Sequence, residues 1–225
     1  MLEVILDTET TGLSTADKHR IIEIGCIELD NQIPTNNIFH EYLNPERSVS
    51  EDAYKIHGYT DKFLLDKKKF FEIAEDFLNF IEGKKIIIHN ASFDLSFLDY
   101  ELRLINKKSI ERKNVVDTLE IARSKFPGMQ NSLDALCKRF NIDNSKREKH
   151  SALIDCSLLK EIYVNLLDQR EPKLNLVNRE MVDQNIGSAS KIVNKSLRKI
   201  IQLSKDELEL HRKYLRKDLP KNNHD

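Results

Sequence analysis

The chain of 225 residues is 40% hydrophobic and 32% charged, a composition typical of a globular protein with a charged surface. No apolar run approaches the roughly 20 residues that cross a bilayer, and the first residues lack the basic and apolar stretch of a secretory signal. The three cysteines form no CxxC pair, so we expect reduced core residues in a cytoplasmic protein.

The first part of the chain predicts three β-strands. Apolar residues dominate three segments, Leu2–Asp7, Ile21–Leu29 and Ile38–Leu43. Turn-prone residues separate them at Thr10–Gly12, Asp30–Asn31 and Pro34–Asn37. Strand-like runs bounded by such residues are the usual signature of successive strands.

Helices and strands alternate after this point. Apolar spacing predicts a helix over Phe70–Ile81, ended by Gly83, and then a short strand over Lys85–His89. Asn90 is the expected N-cap of a helix that carries Leu95, Leu98, Leu102 and Ile105. We further predict a strand at Val115–Asp117 and helices at Leu119–Lys125, Ser132–Phe140 and Ser151–Leu167. Three strands followed by this alternation predict an α/β fold, with a mixed sheet flanked by helices.

The character of the chain changes after Asp168. Residues 169–190 are mostly polar, contain Pro172 and show little periodicity, so we expect a linker between a front domain (1–168) and a C-terminal segment (191–225). The C-terminal segment holds 10 Lys and Arg against 5 Asp and Glu. The first 190 residues are acidic overall, which argues against a general polyanion-binding surface there and suits sites for metal ions.

The C-terminal segment contains two helical patterns. Ile192–Leu203 is expected to be partly helical, and Ser204–Asp218 is the better helix. Ser204 and Glu207 have the spacing of a capping box, and Leu203 and Leu208 that of a hydrophobic staple.

Two carboxylates lie at the end of the first predicted strand. Asp7 and Glu9 are two residues apart, so their side chains point to the same face of the strand. A hard divalent cation such as Mg²⁺ prefers oxygen ligands and would relieve their mutual repulsion. The alternative is a pair of solvated acids on a sheet edge, although Asp7 directly follows the apolar run Val4–Leu6.

A third carboxylate follows the next predicted strand. Asp94 falls in the first turn of a helix, after the apolar segment Ile86–Ile88. Open α/β sheets build their sites at this end of a strand. The alternative is that Asp94 only complements the dipole at the helix N-terminus.

His150 and Asp155 form the last candidate pair. Five residues on an ideal helix turn the chain by about 500°, so the two side chains would not face one centre. His150 must therefore lie at or before the start of the helix if both residues serve one site, with Ser151 as an alternative N-cap. A capping histidine beside a core-edge aspartate is the other interpretation.

The combination of these residues carries a family resemblance. The order DxE, then Asp94, then HxAxxD resembles the DEDDh 3′→5′ exonucleases of the ribonuclease-H-like superfamily, over about residues 2–168. Within that family, several segments are similar to the proofreading subunits of bacterial replicative DNA polymerases. These segments are Leu6–Gly12, Ile21–Gly25, His57–Gly58, His89–Asp94, Asn131–Cys137 and Asn141–Arg147.

The resemblance implies a ribonuclease-H-like five-stranded sheet and metal-dependent hydrolysis of a phosphodiester. It makes Asp7, Glu9 and Asp155 direct ligands of two Mg²⁺ or Mn²⁺ ions, and Asp94 completes the acidic cluster. His150 would be the general base that accepts the proton of the attacking water. The products would be nucleoside 5′-monophosphates, released one at a time from a 3′ end.

The same resemblance assigns substrate contacts. Asp7, Glu9 and Asp155 would bind the substrate together with the metal ions, and His57 would contact it near the 3′ end. Asp52 falls where members that act with polymerases typically carry Glu, and the shorter acid departs from that pattern.

Partners follow from the resemblance and from the C-terminal third of the chain. We expect a single-stranded 3′ end of DNA as substrate and a polymerase (alpha) subunit as partner of residues 191–225. Glu171–Leu176 resembles the peptides that bind a sliding clamp, with Glu and Leu in place of Gln and Phe. A small accessory subunit is a further expected partner. The alternatives are an RNA-trimming exoribonuclease of the same family and a catalytically silent adaptor.

Overall fold

The computed structural model describes residues 1–145, 147–167 and 205–217, and in the last range the side chains of 206–213. The chain divides into two units, Met1–Leu174 and Asn175–Asp225, and each is described by itself. The predicted linker, the clamp-like peptide, the helix Ile192–Leu203 and the expected cap Ser204 lie outside the described residues. The domain boundaries at 168 and 190 therefore stay a prediction.

A mixed five-stranded sheet forms the centre of the first unit, as predicted. Its strands are β1 (Leu2–Thr10), β2 (Ile21–Asp30), β3 (Ile33–Tyr42), β4 (Lys85–Ile88) and β5 (Val115–Asp117). They lie in the order β3-β2-β1-β4-β5. The first three strands pair antiparallel, whereas β4 runs parallel to β1 and β5 runs parallel to β4. The carboxyl ends of β1, β4 and β5 therefore meet at one edge of the sheet.

Helices cover both faces of this sheet. They are α1 (Glu51–His57), α2 (Asp61–Leu64), α3 (Phe70–Ile81), α4 (Ala91–Leu104), α5 (Thr118–Lys125), α6 (Leu133–Phe140) and α7 (Ala152–Leu166). Short 3₁₀ turns lie at Thr15–Asp17 and Arg112–Asn114. The predicted helices are confirmed in α3 to α7, and α3 has the predicted bounds. The apolar pattern did not predict α1 and α2.

β1 divides the core in two because its side chains alternate between the faces of the sheet. Val4 and Leu6 pack in one cluster with buried residues of α3 and α4. Ile5 lies on the other face, in a cluster with Cys156 and Leu159 of α7. Asp7 and Glu9 share the face of Ile5, so they point toward the side of the sheet that α7 covers. All three cysteines are free and buried, as expected.

The predicted turn at Pro34–Asn37 is wrong, because β3 begins at Ile33 and runs through these residues. β3 is an edge strand, where a proline can lack its N–H without breaking a ladder hydrogen bond. Thr35 and Asn37 donate hydrogen bonds to the carboxylate of Glu28, at 2.9 and 2.7 Å. These side-chain contacts hold turn-prone residues in an extended conformation.

Asn90 occupies the predicted N-cap of α4, but its side chain makes no capping hydrogen bond. The carboxylate of Asp117, at the end of β5, instead accepts hydrogen bonds from the backbone N–H groups of Asn90 and Ala91, at 3.0 and 2.9 Å. The start of α4 is thus fixed by the neighbouring strand.

The described part of the second unit is α8 (Lys205–Lys217), which confirms the helix predicted there. Leu208 and Leu210 are exposed on it. Among the described residues, no helix has the length and apolar character needed to span a membrane.

Candidate active site

The site begins at the carboxyl end of β1. Glu9 is buried there, and Asp7 is half-buried. Between them, Thr8 points to the opposite face and donates two hydrogen bonds to Oδ1 of Asp94, from its N–H at 3.0 Å and its hydroxyl at 2.7 Å. The first turn of α4 is therefore attached directly to the strand that carries the other two acids.

α7 and the residues just before it supply the remaining two predicted residues. His150 lies two residues before the helix begins at Ala152, as the spacing predicted, and Asp155 lies in the first turn. The N–H of His150 donates to the carbonyl oxygen of Ile56 at 3.2 Å. Ligand atoms of Glu9, His150 and Asp155 all lie within 4.8 Å of one another, a spacing that one metal ion would fit.

One cavity of about 720 Å³ collects the five predicted catalytic residues, Asp7, Glu9, Asp94, His150 and Asp155. The two other predicted substrate residues line a neighbouring hollow of about 320 Å³. His57 is buried there, whereas the carboxylate of Asp52 is exposed and lies 3.5 Å from Nζ of Lys55. Phe93 borders both spaces.

The acids at the centre of the cavity repel one another. Burial, followed by the charges of Asp94 and Glu9, raises the pKa of Asp7 well above its usual value. Burial and the charges of Asp155 and Glu23 raise the pKa of Glu9 to about 9. Burial also raises the pKa of Asp94 to about 7, although the hydrogen bonds from Thr8 oppose the rise. Convergent carboxylates that repel one another fit a divalent cation, which takes oxygen ligands and compensates their charge.

Arg147 is part of the site, although the sequence assigned it no role. Its Nε and Nη2 donate to the two carboxylate oxygens of Asp155, both at 2.6 Å. Nη1 donates to Asp134 at 2.8 Å, and Nη2 also lies 2.9 Å from Nδ1 of His150. Because a guanidinium only donates, Nδ1 of His150 accepts this hydrogen bond. The signal in the sequence was the position of Arg147, three residues before His150 in a charged loop.

Asp155 has a lowered pKa, whereas the pKa values of Asp7, Glu9 and Asp94 are raised, because Asp155 is paired with Arg147. Burial alone would raise the pKa of Asp155, but the nearby His150 ring and the hydrogen bonds and charge of Arg147 lower it below its usual value. Asp155 is therefore already compensated in the protein without metal, whereas Asp7 and Glu9 are not.

His57 has a defined tautomer. Its Nδ1 accepts a hydrogen bond from the N–H of Tyr59 at 3.0 Å, so in the neutral ring Nε2 carries the proton. Burial lowers the pKa of His57 to about 4, which keeps the ring neutral at pH 7. Nε2 is a buried donor without a hydrogen-bond partner in the described part of the chain.

Known proteins resemble this chain in sequence and in structure. The profile of a family described as Exonuclease matches residues 4–163. The chain is 47% identical over 218 residues to DNA polymerase III subunit epsilon of Rickettsia felis, with 95% of each chain covered. It is 42% identical over 228 residues to the protein of the same name from Haemophilus influenzae, with 95% of this chain and 89% of the relative covered.

Two solved structures are similar to about three quarters of the chain. Exonuclease X, in complex with 5′ overhanging duplex DNA, is 25% identical, with a TM-score of 0.58 over 73% of this chain and 90% of that one. The nuclease domain of 3′hExo, a DEDDh family member bound to rAMP, is 20% identical, with a TM-score of 0.64 over 74% and 92%. The second likeness shows the fold, and the carboxylates and the histidine in the cavity are a ligand set that fits a divalent metal ion. Because the family profile covers most of the chain and the relatives match almost its whole length, the chain belongs to the exonuclease family and, within it, to the DNA polymerase III epsilon subunits.

Proposed function

We propose that this protein removes mismatched 3′-terminal nucleotides from DNA, one at a time, as the proofreading subunit of a replicative polymerase. The observation that carries the proposal is the single cavity that collects four carboxylates and a histidine from β1, α4 and the start of α7. A catalytically silent adaptor has no use for buried acids that raise one another's pKa, because that repulsion costs folding free energy.

Asp7, Glu9, Asp94 and Asp155 would hold two divalent ions, Mg²⁺ or Mn²⁺. When bound, such ions supply charge neutralisation at the phosphate and lower the pKa of a bound water. Glu9 and Asp155 are the better supported ligands, because their oxygens lie within 4.8 Å of each other and of a nitrogen of His150. Asp94 is already held by Thr8 through Oδ1, which leaves Oδ2 as its available oxygen.

His150 would accept the proton of the attacking water. It lies at the mouth of the site with 43% of its side chain exposed, so solvent reaches the ring. In the neutral ring Nδ1 holds the lone pair, so it would take the proton by giving up the hydrogen bond from Arg147. Oδ2 of Asp155, 3.4 Å from Nδ1, would then stabilise the imidazolium that forms. His57 and, on the rim, Asp52 would contact the substrate near its 3′ end, and the product would leave as a nucleoside 5′-monophosphate.

DNA is favoured over RNA as substrate because of the relatives. The curated relatives at 42–48% identity are named as DNA polymerase III subunits. One structural neighbour, described with histone mRNA, is 18% identical and therefore supports the fold alone. The RNA-trimming alternative remains an outcome of the experiment below.

The polymerase (alpha) subunit would bind residues 191–225. In α8 Leu208 and Leu210 are exposed on different faces of the helix, and each offers an apolar contact to a partner. The sliding clamp would bind Glu171–Leu176, and substitution of both Leu174 and Leu176 by Ala should weaken clamp binding. A small accessory subunit would bind the first unit, and the complex would act in the cytoplasm.

The test is incubation of the full chain with Mg²⁺ and a primer–template that carries a 3′ mismatch. We expect stepwise shortening of the primer from its 3′ end, with release of 5′-monophosphates. Asp7→Asn is the matched control, because it removes one predicted ligand without changing side-chain size. Faster shortening of the equivalent RNA would favour the exoribonuclease, and no hydrolysis with any divalent metal would favour the adaptor.

A further inference from the structure

Glu23 is a buried carboxylate inside the apolar segment Ile21–Ile27 of β2. It follows Ile21 and Ile22 in β2, and its exposed fraction is 0%. Burial of a charged group costs free energy unless hydrogen bonds compensate it, so such a residue is kept only where its contacts stabilise or position something. The mechanism described above does not use Glu23.

The contacts of Glu23 lead to the segment that carries His150. Oε1 accepts a hydrogen bond from the hydroxyl of Ser151 at 2.9 Å, and Nε2 of His40 lies 2.8 Å from the same oxygen. Ser151 is adjacent to His150 in sequence and is 128 residues away from Glu23. The bond therefore joins β2 to the start of α7 at the residue after the proposed general base.

The side chain of Ser151 does not cap α7, although Ser151 occupies the N-cap position. It occupies the N-cap position of α7, where a serine side chain normally accepts a hydrogen bond from the first turn, a contact worth about 1 kcal/mol. Its side chain makes no such bond in α7. The hydroxyl is directed to Glu23 instead.

A second feature of β2 fixes the same segment. A Cβ atom on Gly25 would lie 2.6 Å from the carbonyl carbon of Ala152, so the strand and the start of α7 are in direct backbone contact. The N–H of His150 is held by the carbonyl oxygen of Ile56. The backbone of residues 150–152 is thus fixed from both α1 and β2, and Glu23 supplies the polar part of the β2 contact.

We propose that Glu23 is a positioning residue for His150, acting through the hydroxyl of Ser151. The inference rests on the proposed role of His150 as general base. A shift of the base by about 1 Å is enough to reduce a rate about 100-fold, so loss of the Glu23–Ser151 bond lowers the rate of hydrolysis while the metal ligands stay in place.

The test combines two ways of breaking the bond. Ser151→Ala removes the donor and leaves the carboxylate, and Glu23→Ala removes the acceptor together with a charge that lies opposite Glu9 in the β1–β2 ladder. Each should lower single-turnover hydrolysis about 10- to 100-fold, with an unchanged Kd for Mn²⁺ in the Ser151→Ala protein. Glu23→Gln keeps an acceptor oxygen and should stay within about threefold of the wild type.

The decisive measurement uses a second background. If Glu23 acts through His150, Ser151→Ala or Glu23→Ala should cost no further activity in a His150→Ala protein. Glu28→Ala is the matched control, because it removes another buried β2 carboxylate that pairs with Lys84 and should leave the rate unchanged. An equal loss in the wild-type and His150→Ala backgrounds overturns the proposal, and so does full activity of Ser151→Ala. Failure of His150→Ala to reduce hydrolysis would instead refute the general base itself.

Discussion

Asp155→Asn and Asp7→Asn should change the stability of the metal-free protein in opposite directions. Repulsion within the acidic cluster, taken alone, predicts that either substitution stabilises the fold. Asp155, however, forms two hydrogen bonds of 2.6 Å with Arg147. The side chains of this pair are only 5% and 7% exposed, so Asp155→Asn leaves a buried guanidinium without its main counter-charge.

The magnitude follows from these contacts. Removing one partner of a buried ion pair typically costs 3–5 kcal/mol, but an amide still accepts one hydrogen bond, so we expect a loss of about 2–3 kcal/mol. For a chain of this length each kcal/mol shifts Tm by about 2–4 °C, so Tm should fall by about 4–12 °C. Asp7→Asn should raise Tm, because the folded protein holds the pKa of Asp7 well above its usual value.

The two variants should also respond differently to pH. The raised pKa of Asp7 means that its ionisation opposes folding, so the gain from Asp7→Asn should grow as pH rises above the ordinary carboxyl range. The lowered pKa of Asp155 means that its contribution is complete above the ordinary carboxyl range and is lost progressively as pH falls below that range. Thermal unfolding in EDTA, followed by circular dichroism, measures both. A rise in Tm for Asp155→Asn would show that the pair with Arg147 does not offset the repulsion.

Three further predictions concern metal, chemistry and assembly. The affinity for Mn²⁺ should rise with pH, and binding should release protons, since Asp7 and Glu9 bind protons tightly in the metal-free site. Calorimetry in buffers of different ionisation enthalpy measures the number of protons released. An affinity for Mn²⁺ that does not depend on pH contradicts the prediction. His150→Ala should lower kcat by about 10²–10⁴-fold, as measured by hydrolysis of a single-stranded oligonucleotide; a rate close to that of the wild type would exclude His150 as the base. Truncation after Asp168 should leave an active exonuclease that no longer co-purifies with the polymerase subunit, and undiminished binding would place the contact in the first unit.

The sequence predicted the parts of the fold that local patterns determine. Apolar periodicity predicted α3 with its observed bounds and each of the five strands, and the spacing of His150 from Asp155 predicted that the histidine precedes α7. The pattern failed where tertiary contacts override local preference. The composition of Pro34–Asn37 is typical of a turn. In the structure this segment is an edge strand, because Pro34 needs no ladder hydrogen bond there and Glu28 accepts hydrogen bonds from Thr35 and Asn37.

The residues of the candidate site stay a prediction from the family resemblance, and the contacts that hold them were not predicted. The family resemblance located Asp7, Glu9, Asp94, His150 and Asp155, and the fold brings them to one cavity. Glu23 was missed because its partner Ser151 is 128 residues away. Arg147 is only 8 residues from Asp155, but no local pattern sets the conformation of the loop that brings the two side chains together. A glutamate within the apolar run of β2 was the one signal that the sequence offered for Glu23.

The carboxylates of the site lower the stability of the fold, and Arg147 and bound metal ions compensate for this loss. Asp7 and Glu9 oppose folding when ionised, and the protein compensates only part of that charge through Arg147. Divalent metal compensates the rest, and any ligand bound only by the folded state adds stability, about 2.7 kcal/mol at a hundredfold excess over its Kd. Metal binding and folding are therefore linked through the same carboxylates. The hydrogen bond from Ser151 to Glu23 borders the same cluster, because the charge of Glu23 also raises the pKa of Asp7 and Glu9. The general base is therefore held by a carboxylate that is part of the same electrostatic network as the metal ligands.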